Sequence, residues 1–355
     1  MSSADLDGRG TRLNPANRFE RIHVDLTDVD EPDASVPPVP TELYRDATRS
    51  ALAENDSPDI GFRFSLNPYR GCEHGCIYCY ARPSHEYLGF SAGLDFERKL
   101  MVKTDAAVLL REALAAPRWQ PQVIMLSGNT DCYQPVERRL RITRACLEVL
   151  ADFRNPVSVI TKSALIARDA DLLAALAADG AAQAFFSITS LDADLARRME
   201  PRAASPERRL QALATLAAAG VPVGVMIAPV VPGLNDHEIP AILDAAAAAG
   251  ARSASWVMLR LASPLDQLFT DWLEKHFPDR AQRVLGRIRE CRSGKLNDTR
   301  FRIRQRGLGP YAEQIRNLFD LARRRRGLDK PLPPLSVAAF RRPPRAGDQL
   351  ALVLE

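Results

Sequence analysis

Short apolar runs alternate with amphipathic stretches along most of this chain. Six runs are rich in β-branched or apolar residues and read as strands: Phe62–Leu66, Gln122–Leu126, Val157–Thr161, Ala184–Ile188, Pro222–Ala228 and Ser255–Leu259. Between them, apolar residues at three- and four-residue spacing predict helices over Thr104–Ala116, Pro135–Phe153, Ala167–Ala178, Pro206–Ala219 and Asp236–Ala249, the first capped by Thr104. Phe96–Lys103 reads as extended. Strands that alternate with helices build a parallel sheet with right-handed crossovers, so the fold class is α/β. Six units fall short of the eight that close a TIM barrel.

Three segments differ in composition. Residues 1–60 are Asp-, Pro- and Ser-rich, with Val36-Pro-Pro-Val-Pro40 as punctuation, and read as an extended, partly disordered arm. Residues 61–260 carry the strand–helix rhythm. Residues 261–355 read as helical to about Arg289, then as a Gly- and Arg-rich segment, a helix at Tyr311–Arg326 and Pro-rich coil. This extension either closes the open side of the sheet or caps the substrate side.

Charge follows the same division. The first 60 residues hold 13 acidic against 6 basic side chains, whereas residues 280–355 hold 19 basic against 7 acidic. Such a basic tail suits a phosphate backbone. With 42 Arg against 6 Lys in an Ala-rich chain, the composition also fits solvated helix faces without a partner, and no aromatic residues interleave the basic ones. The polar start predicts no secretory leader, and no run of 18 apolar residues predicts a membrane span. A cytoplasmic, reducing location is expected.

The chemistry concentrates in Asn67-Pro-Tyr-Arg-Gly-Cys-Glu-His-Gly-Cys-Ile-Tyr-Cys-Tyr-Ala-Arg82, where Cys72, Cys76 and Cys79 form a C-x3-C-x2-C run. Gly71 and Gly75 give the backbone freedom to aim three sulfurs inward, toward three corners of one metal cluster. Zinc is the alternative, although it usually takes two separated ligand pairs, and His74 is the nearest extra donor. Cys146 reads as core and Cys291 as a free surface thiol. His23, His85, His237 and His276 read as structural.

This cysteine run, with an aromatic at Tyr78, resembles the radical S-adenosylmethionine (radical SAM) superfamily. Cys-Ile-Tyr-Cys-Tyr80, Thr161-Lys-Ser, Met199-Glu-Pro-Arg202 and Ala228-Pro-Val-Val-Pro-Gly-Leu-Asn further resemble its spore photoproduct lyase-like branch, also described as DNA repair photolyase-like, from about Phe62 to Arg260. The resemblance implies an open, partial (β/α)6 TIM-like barrel with a 4Fe–4S cluster on Cys72, Cys76 and Cys79. The fourth iron would take S-adenosylmethionine (SAM), and an electron would come from a flavodoxin- or ferredoxin-type donor. The SAM cleaved on that cluster would give a 5′-deoxyadenosyl radical that abstracts hydrogen from a substrate.

Ligands of parallel βα folds sit at the C-terminal strand ends. There the resemblance assigns Gly128, Asn129 and Thr130 to the SAM amino group, Lys162 to its carboxylate, and Ser187 and Thr189 to its ribose. Tyr78 and Tyr80 match the tyrosines flanking the last cluster cysteine. Thr130 or Asp131 as a helix cap is the plainer reading of the first turn. One departure stands out: where the lyase has a hydrogen-donating cysteine after its second strand, this chain has Gly128. Cys132 lies four residues on, either as a relay thiol with Tyr80 or packed beneath the next helix. The substrate remains open between nucleic acid, met through the basic C-terminal region, and a small molecule or protein. A non-catalytic iron–sulfur electron carrier is a further alternative, although it would want a fourth cysteine.

Overall fold

The computed structural model describes residues 8–19 and 40–344. Most of the Val36–Pro40 punctuation and the last residues of the Pro-rich tail lie outside the described residues. The strands are β1 (Glu42–Arg45), β2 (Leu52–Glu54), β3 (Phe64–Leu66), β4 (Tyr69–Arg70), β5 (Lys99–Val102), β6 (Ile124–Leu126), β7 (Val157–Thr161), β8 (Ala182–Ser187), β9 (Val223–Val230) and β10 (Ser253–Met258).

Six of these form the parallel sheet expected from the apolar runs. The order is β10-β9-β8-β7-β6-β3-β2, with β2 added antiparallel to β3. β10 and β2 are the two edges, so the barrel is open. β7 is buried on both faces, with Val157, Val159 and Thr161 on one and Ser158 on the other, and a near-continuous apolar run is what such a strand requires. Helices return the chain between strands. Ser205 caps Pro206–Ala218 by accepting the Arg208 N–H at 3.3 Å, with Pro206 in the first turn.

The free side of β10 meets the C-terminal extension instead of a further strand. The N–H groups of Ala254 and Met258 donate to the carbonyls of Leu328 (3.0 Å) and Gln305 (2.9 Å). Arg306 donates to the Trp256 carbonyl at 2.8 Å, and the buried Arg292 donates to the Leu259 carbonyl at 2.6 Å. Part of the C-terminal arginine excess is thus spent on strand-end carbonyls.

Several boundaries differ from the sequence reading, each for a local reason. The expected helix 135–153 breaks at Arg141, whose φ of 56° is left-handed, into Glu137–Leu140 and Ile142–Phe153. Phe96–Lys103 divides into a short helix, Leu94–Arg98, and β5. β5 pairs in parallel with β1 and antiparallel with β4 in a small second sheet. β1 and β2 arise within the segment read as an arm; their exposed faces leave no apolar pattern in the sequence. Cys291 is fully buried in the core, not a surface thiol.

The barrel core and a second apolar cluster meet at the cysteine loop. The second cluster joins Ile77, Tyr78 and Met199 to Leu268, Phe269 and Trp272 of the helix Leu265–His276 and to Val284 and Leu285 of Pro278–Glu290. The extension therefore packs on the loop that carries the three cysteines. The helix Pro310–Arg325 lies against Ile239–Ala248, and its Tyr311 hydroxyl donates to Asp236 at 2.5 Å. Among the described residues no helix is long and apolar enough to cross a membrane.

His85 is buried between the rings of Phe90 (5.3 Å) and Phe96 (5.5 Å). Burial lowers its pKa from 6.5 to about 4, against smaller opposing contributions from Lys99 and Asp95. Between those values the unfolded chain binds a proton that the folded one refuses. Stability from neutral His85 is therefore complete above about pH 6.5 and is lost as pH falls toward 4, by about 3 kcal/mol. Urea unfolding at stepped pH should show this slope, and a His85→Phe variant should flatten it.

Candidate functional site

The cysteine loop is bent by two glycines with left-handed backbone, Gly71 (φ 81°) and Gly75 (φ 66°). A Cβ on Gly75 would come within 2.8 Å of a Glu97 carboxylate oxygen, so a side chain there would push on the Glu97–Arg82 pair as well as strain the left-handed backbone. Its turns are closed by Gly75 N–H to Cys72 carbonyl (3.4 Å) and Cys79 N–H to Cys76 carbonyl (3.2 Å). Outside contacts fix its position. The Cys72 N–H donates to the Phe96 carbonyl (2.9 Å), the Ile77 N–H to the Met199 carbonyl (3.1 Å), and the Glu73 N–H to the Gln134 side chain (2.9 Å). Beneath it the buried Arg82 pairs with Glu97 at 2.5 Å and donates through Nε to the Cys76 carbonyl at 3.0 Å.

All six cysteines are free. Cys72 and Cys76 are buried and Cys79 half-buried, and burial pushes all three thiols up, Cys76 to about 12. Lys162 opposes this at Cys76 and Cys79, Arg209 at Cys76 and Arg82 at Cys79. Unoxidised, sheltered thiols with cations behind them fit an iron–sulfur cluster, whose own charge keeps such ligands deprotonated. Among the described residues no group of three or more His, Cys, Asp or Glu is gathered to hold a single metal ion, and His74 faces Asp131 at 3.4 Å.

Behind the cysteines stands a buried polar hub, built on the charge-rich segment Met199–Arg202 and Pro206–Arg209 that the sequence offers either as a substrate- or SAM-positioning loop or as a buried salt-bridge cluster. The fully buried Glu200 forms an ion pair with the equally buried Arg209. It also accepts from the Tyr78 hydroxyl and from Thr189 Oγ1, the latter at 2.7 Å. Burial alone would raise the Glu200 carboxyl, but Arg209 and Lys162 outweigh it and hold it low, whereas the Tyr78 phenol is pushed well above its usual range. Arg209 also donates to the carbonyls of Ser187 (2.9 Å) and Ala204 (2.7 Å). Lys162 Nζ lies 5.7 Å from the Tyr78 ring centroid.

The turn after β6 lies beside this hub. The Asn67 side chain accepts the N–H groups of Asn129 (2.8 Å) and Thr130 (3.3 Å). A Cβ on Gly128 would sit 2.8 Å from Ser65 Cβ, and the Gly128 carbonyl accepts from the Tyr80 hydroxyl at 2.8 Å. Asp131 accepts from Thr161 Oγ1 (2.8 Å) and the Lys162 N–H (2.8 Å), joining this turn to the next strand end.

The structure thus gathers Tyr78, Tyr80, Gly128, Asn129 and Lys162 around the loop and engages the other expected residues in internal contacts. Thr130 is buried and donates to the Tyr69 carbonyl at 2.5 Å. Thr189 is spent on Glu200, and Ser187 is buried with its carbonyl held by Arg209. Cys132 is packed in the barrel core at 0% exposure. Its N–H donates to Ser127 Oγ (2.8 Å) and its carbonyl accepts from Thr143 (2.6 Å), because the helix starting beyond Arg141 closes over it. In this arrangement a relay thiol at Cys132 faces no cleft. Tyr80, by contrast, is 57% exposed.

Asn67 was missed as a partner because its contacts are long-range, whereas the charge-rich segment Met199–Arg202 with Pro206–Arg209 reads in the sequence either as a positioner of substrate or SAM through Arg202 or as a buried salt-bridge cluster, and the Glu200–Arg209 pair has the second form. Arg260, just past β10, was missed too. Burial lowers its pKa, Arg304 reinforces the shift, and Tyr80 and Asp59 oppose it; its Nε is buried with no hydrogen-bond partner among the described residues.

Replacing Glu200 by Gln strands Arg209 as an unpaired buried charge, a change that costs about 3–5 kcal/mol. The urea midpoint should fall accordingly, and a Glu200→Gln, Arg209→Met double variant should recover most of the loss.

The sequence matches the Radical SAM superfamily over residues 66–246. An uncharacterized protein of Mycobacterium tuberculosis (strain ATCC 25618 / H37Rv) is 37% identical over 226 residues, 63% of this chain and 66% of that protein. An uncharacterized protein of Methanocaldococcus jannaschii is 29% identical over 178 residues, 50% of this chain and 64% of that protein. The chain thus spans less than two thirds of the length of these curated relatives. Among solved structures, a spore photoproduct lyase variant shares the fold, with a TM-score of 0.52 at 15% identity over 80% of each chain. The family match covers half of the chain and includes the three-cysteine loop, so the protein belongs to the radical SAM superfamily, whose members use a 4Fe–4S cluster and S-adenosylmethionine.

Proposed function

We propose that this protein is a radical SAM enzyme in which Cys72, Cys76 and Cys79 hold the 4Fe–4S cluster and SAM occupies the cleft bounded by Tyr78, Gly128, Asn129 and Lys162. The observation that carries this is the glycine-bent loop with three free, sheltered thiols, braced by Arg82 and Glu200. When bound, these cofactors supply a one-electron cleavage of the SAM sulfur–carbon bond, giving methionine and a 5′-deoxyadenosyl radical that takes a hydrogen atom from the substrate.

The chain's residues bind, orient and exclude. Lys162 presents a cation to the SAM carboxylate while its own backbone N–H is held by Asp131. Gly128 and Asn129 approach with backbone groups that Asn67 holds in place. Tyr80, reachable from the cleft and tethered to Gly128, is the candidate to pass hydrogen between radical and substrate. Arg260, whose buried Nε has no hydrogen-bond partner among the described residues, lies near Tyr80 and offers charge to an anionic substrate. It favours a nucleic acid, as lesion repair or modification, over an uncharged small molecule or a protein.

Anaerobic reconstitution with iron and sulfide, followed by dithionite and SAM, should yield 5′-deoxyadenosine from wild type and none from Cys76→Ala. A loaded cluster that neither binds nor cleaves SAM would make the protein an electron carrier. Single- and double-stranded oligonucleotides, added in turn, should raise the product yield, with binding that weakens as salt rises; no response from either would point to another substrate class. Lys162→Ala removes a charge-assisted contact worth about 1.5–3 kcal/mol. SAM binding to the reconstituted protein should weaken about 10- to 100-fold in calorimetry, with cluster absorbance unchanged.

A further inference from the structure

The sheet stops short of closing at β2 and β10, and one loop spans the gap between these edges. Residues 55–63 join β2 to β3. The loop is tied at its neck, where the Asn55 N–H donates to the Arg63 carbonyl at 2.7 Å and the Asn55 side chain to the Phe62 carbonyl at 3.0 Å. Its tip reaches the segment 302–305, which is joined to the free side of β10 by the Gln305 carbonyl. There the Asp59 carboxylate accepts the Arg302 N–H at 2.7 Å and Arg304 Nε at 2.5 Å. Arg304 also donates to Ser57 Oγ at 2.7 Å, and the Gln305 side chain donates to the Asp59 carbonyl at 3.3 Å. One carboxylate and its immediate neighbours thus fasten the tip of the loop across the open side of the barrel.

The fastening lies at the cleft. Phe62, at the base of the loop, brings its ring tip to 3.3 Å from where a Cβ on Gly128 would stand, and the Gly128 carbonyl takes the Tyr80 hydroxyl. Arg260, just past β10, feels the charges of Asp59, Arg304 and Tyr80 together. The ionic groups here do not balance. Asp59, its side chain 3% exposed, is bonded to Arg304, while Arg260 stands close by with a buried Nε that has no hydrogen-bond partner among the described residues. The neighbouring Asp298 is taken by Arg300 at 2.6 Å. Two guanidiniums therefore face one carboxylate, and guanidiniums bind phosphate oxygens as readily as carboxylate ones.

We propose that residues 55–63 are a lid on the open side of the barrel, latched by Asp59 onto Arg304 and released when a phosphate oxyanion of the substrate binds Arg260 and Arg304. The proposal deepens the reading of Arg260 as a substrate contact and rests on it. The incoming oxyanion replaces Asp59 at the same guanidinium, so Arg304 exchanges one anion for another and is never left bare. The two Asn55 bonds hold the neck while the tip swings. A Cβ on Gly61 would meet nothing within 4 Å, so the loop has free space on that side. A ligand shifts such an equilibrium only by binding one state better. Here the open state offers two arginines where the latched one offers Arg260 alone. An uncharged molecule gains nothing by opening the lid, and the latched lid narrows the route by which water reaches the cleft.

Hydrogen exchange read by mass spectrometry on full-length, cluster-loaded protein follows the lid without turnover. Asp59→Ala should speed exchange in residues 55–63 and 301–306 about tenfold or more and leave β6 to β9 unchanged. Arg304→Gln, which cuts the latch from the other side, should do the same. In wild type, pyrophosphate and a dinucleotide with a single phosphodiester are both too small to cover the loop. At least one of them should reproduce the acceleration, whereas an uncharged nucleoside and sodium chloride of matched ionic strength should not. Arg260→Gln should abolish that response. A response to the dinucleotide alone assigns the oxyanion to a nucleic-acid strand, and a response to pyrophosphate as well shows that a free phosphate group suffices. Unchanged exchange in both Asp59→Ala and Arg304→Gln would overturn the latch. Acceleration by neither phosphate probe would overturn its release by substrate. The radical SAM reading fails separately, by the absence of 5′-deoxyadenosine with dithionite and SAM.

Discussion

A fully buried carboxylate is an expensive thing to keep charged, and the architecture around the cysteines is arranged to keep Glu200 so. Its compensation comes from several directions at once: Arg209 from the following helix, Thr189 from the end of one strand, Tyr78 from the cysteine loop and Lys162 from the end of another. Because all the partners answer to one buried charge, displacing any of them leaves that carboxylate under-compensated. The loop, the β8 end and the β7 end are thereby held in one mutual geometry, which a site needing sub-ångström placement requires.

Packing extends the same constraint outward. The apolar side of the loop, Ile77 and Tyr78, is covered by helices that follow the barrel in sequence, and its backbone side is covered by residues that precede the barrel. The elements outside the sheet thus do what the open barrel does not do for itself: they bury the loop on the faces turned away from the strand ends.

The parallel sheet and its crossover helices were readable in the sequence because periodicity reports burial directly, and β6 to β10 are buried in a regular alternation or on both faces. The cysteine loop was readable because its spacing is local. β1 and β2 were not, since short exposed strands owe their pairing to neighbours rather than to pattern. Asn67 with Asn129 and Gly10 on Gly75 were not readable either, whereas the charge-rich segment holding Glu200 and Arg209 already suggested a buried ion pair. The first two are contacts between residues whose types are common and whose partners are fixed only once the chain is folded. At Cys132 the sequence leaves two readings, a relay thiol or a residue packed beneath the next helix, and the fold has the second. Proximity to the turn kept the relay reading open in the sequence, and only the fold shows Thr143 and the helix behind it sealing the residue into the core.

The unclosed barrel leaves β10 with a free side, and a bare parallel edge is a template for another chain's strand. Here that side is met by single carbonyls from the coil before and after the last helix, while two arginines occupy strand-end oxygens. An irregular segment that saturates an edge in this way offers no ladder to a newcomer. The basic extension therefore acts as an insulator as well as a packing surface: it lets an open sheet keep the wide mouth its cofactors need without becoming a site of strand-to-strand self-association.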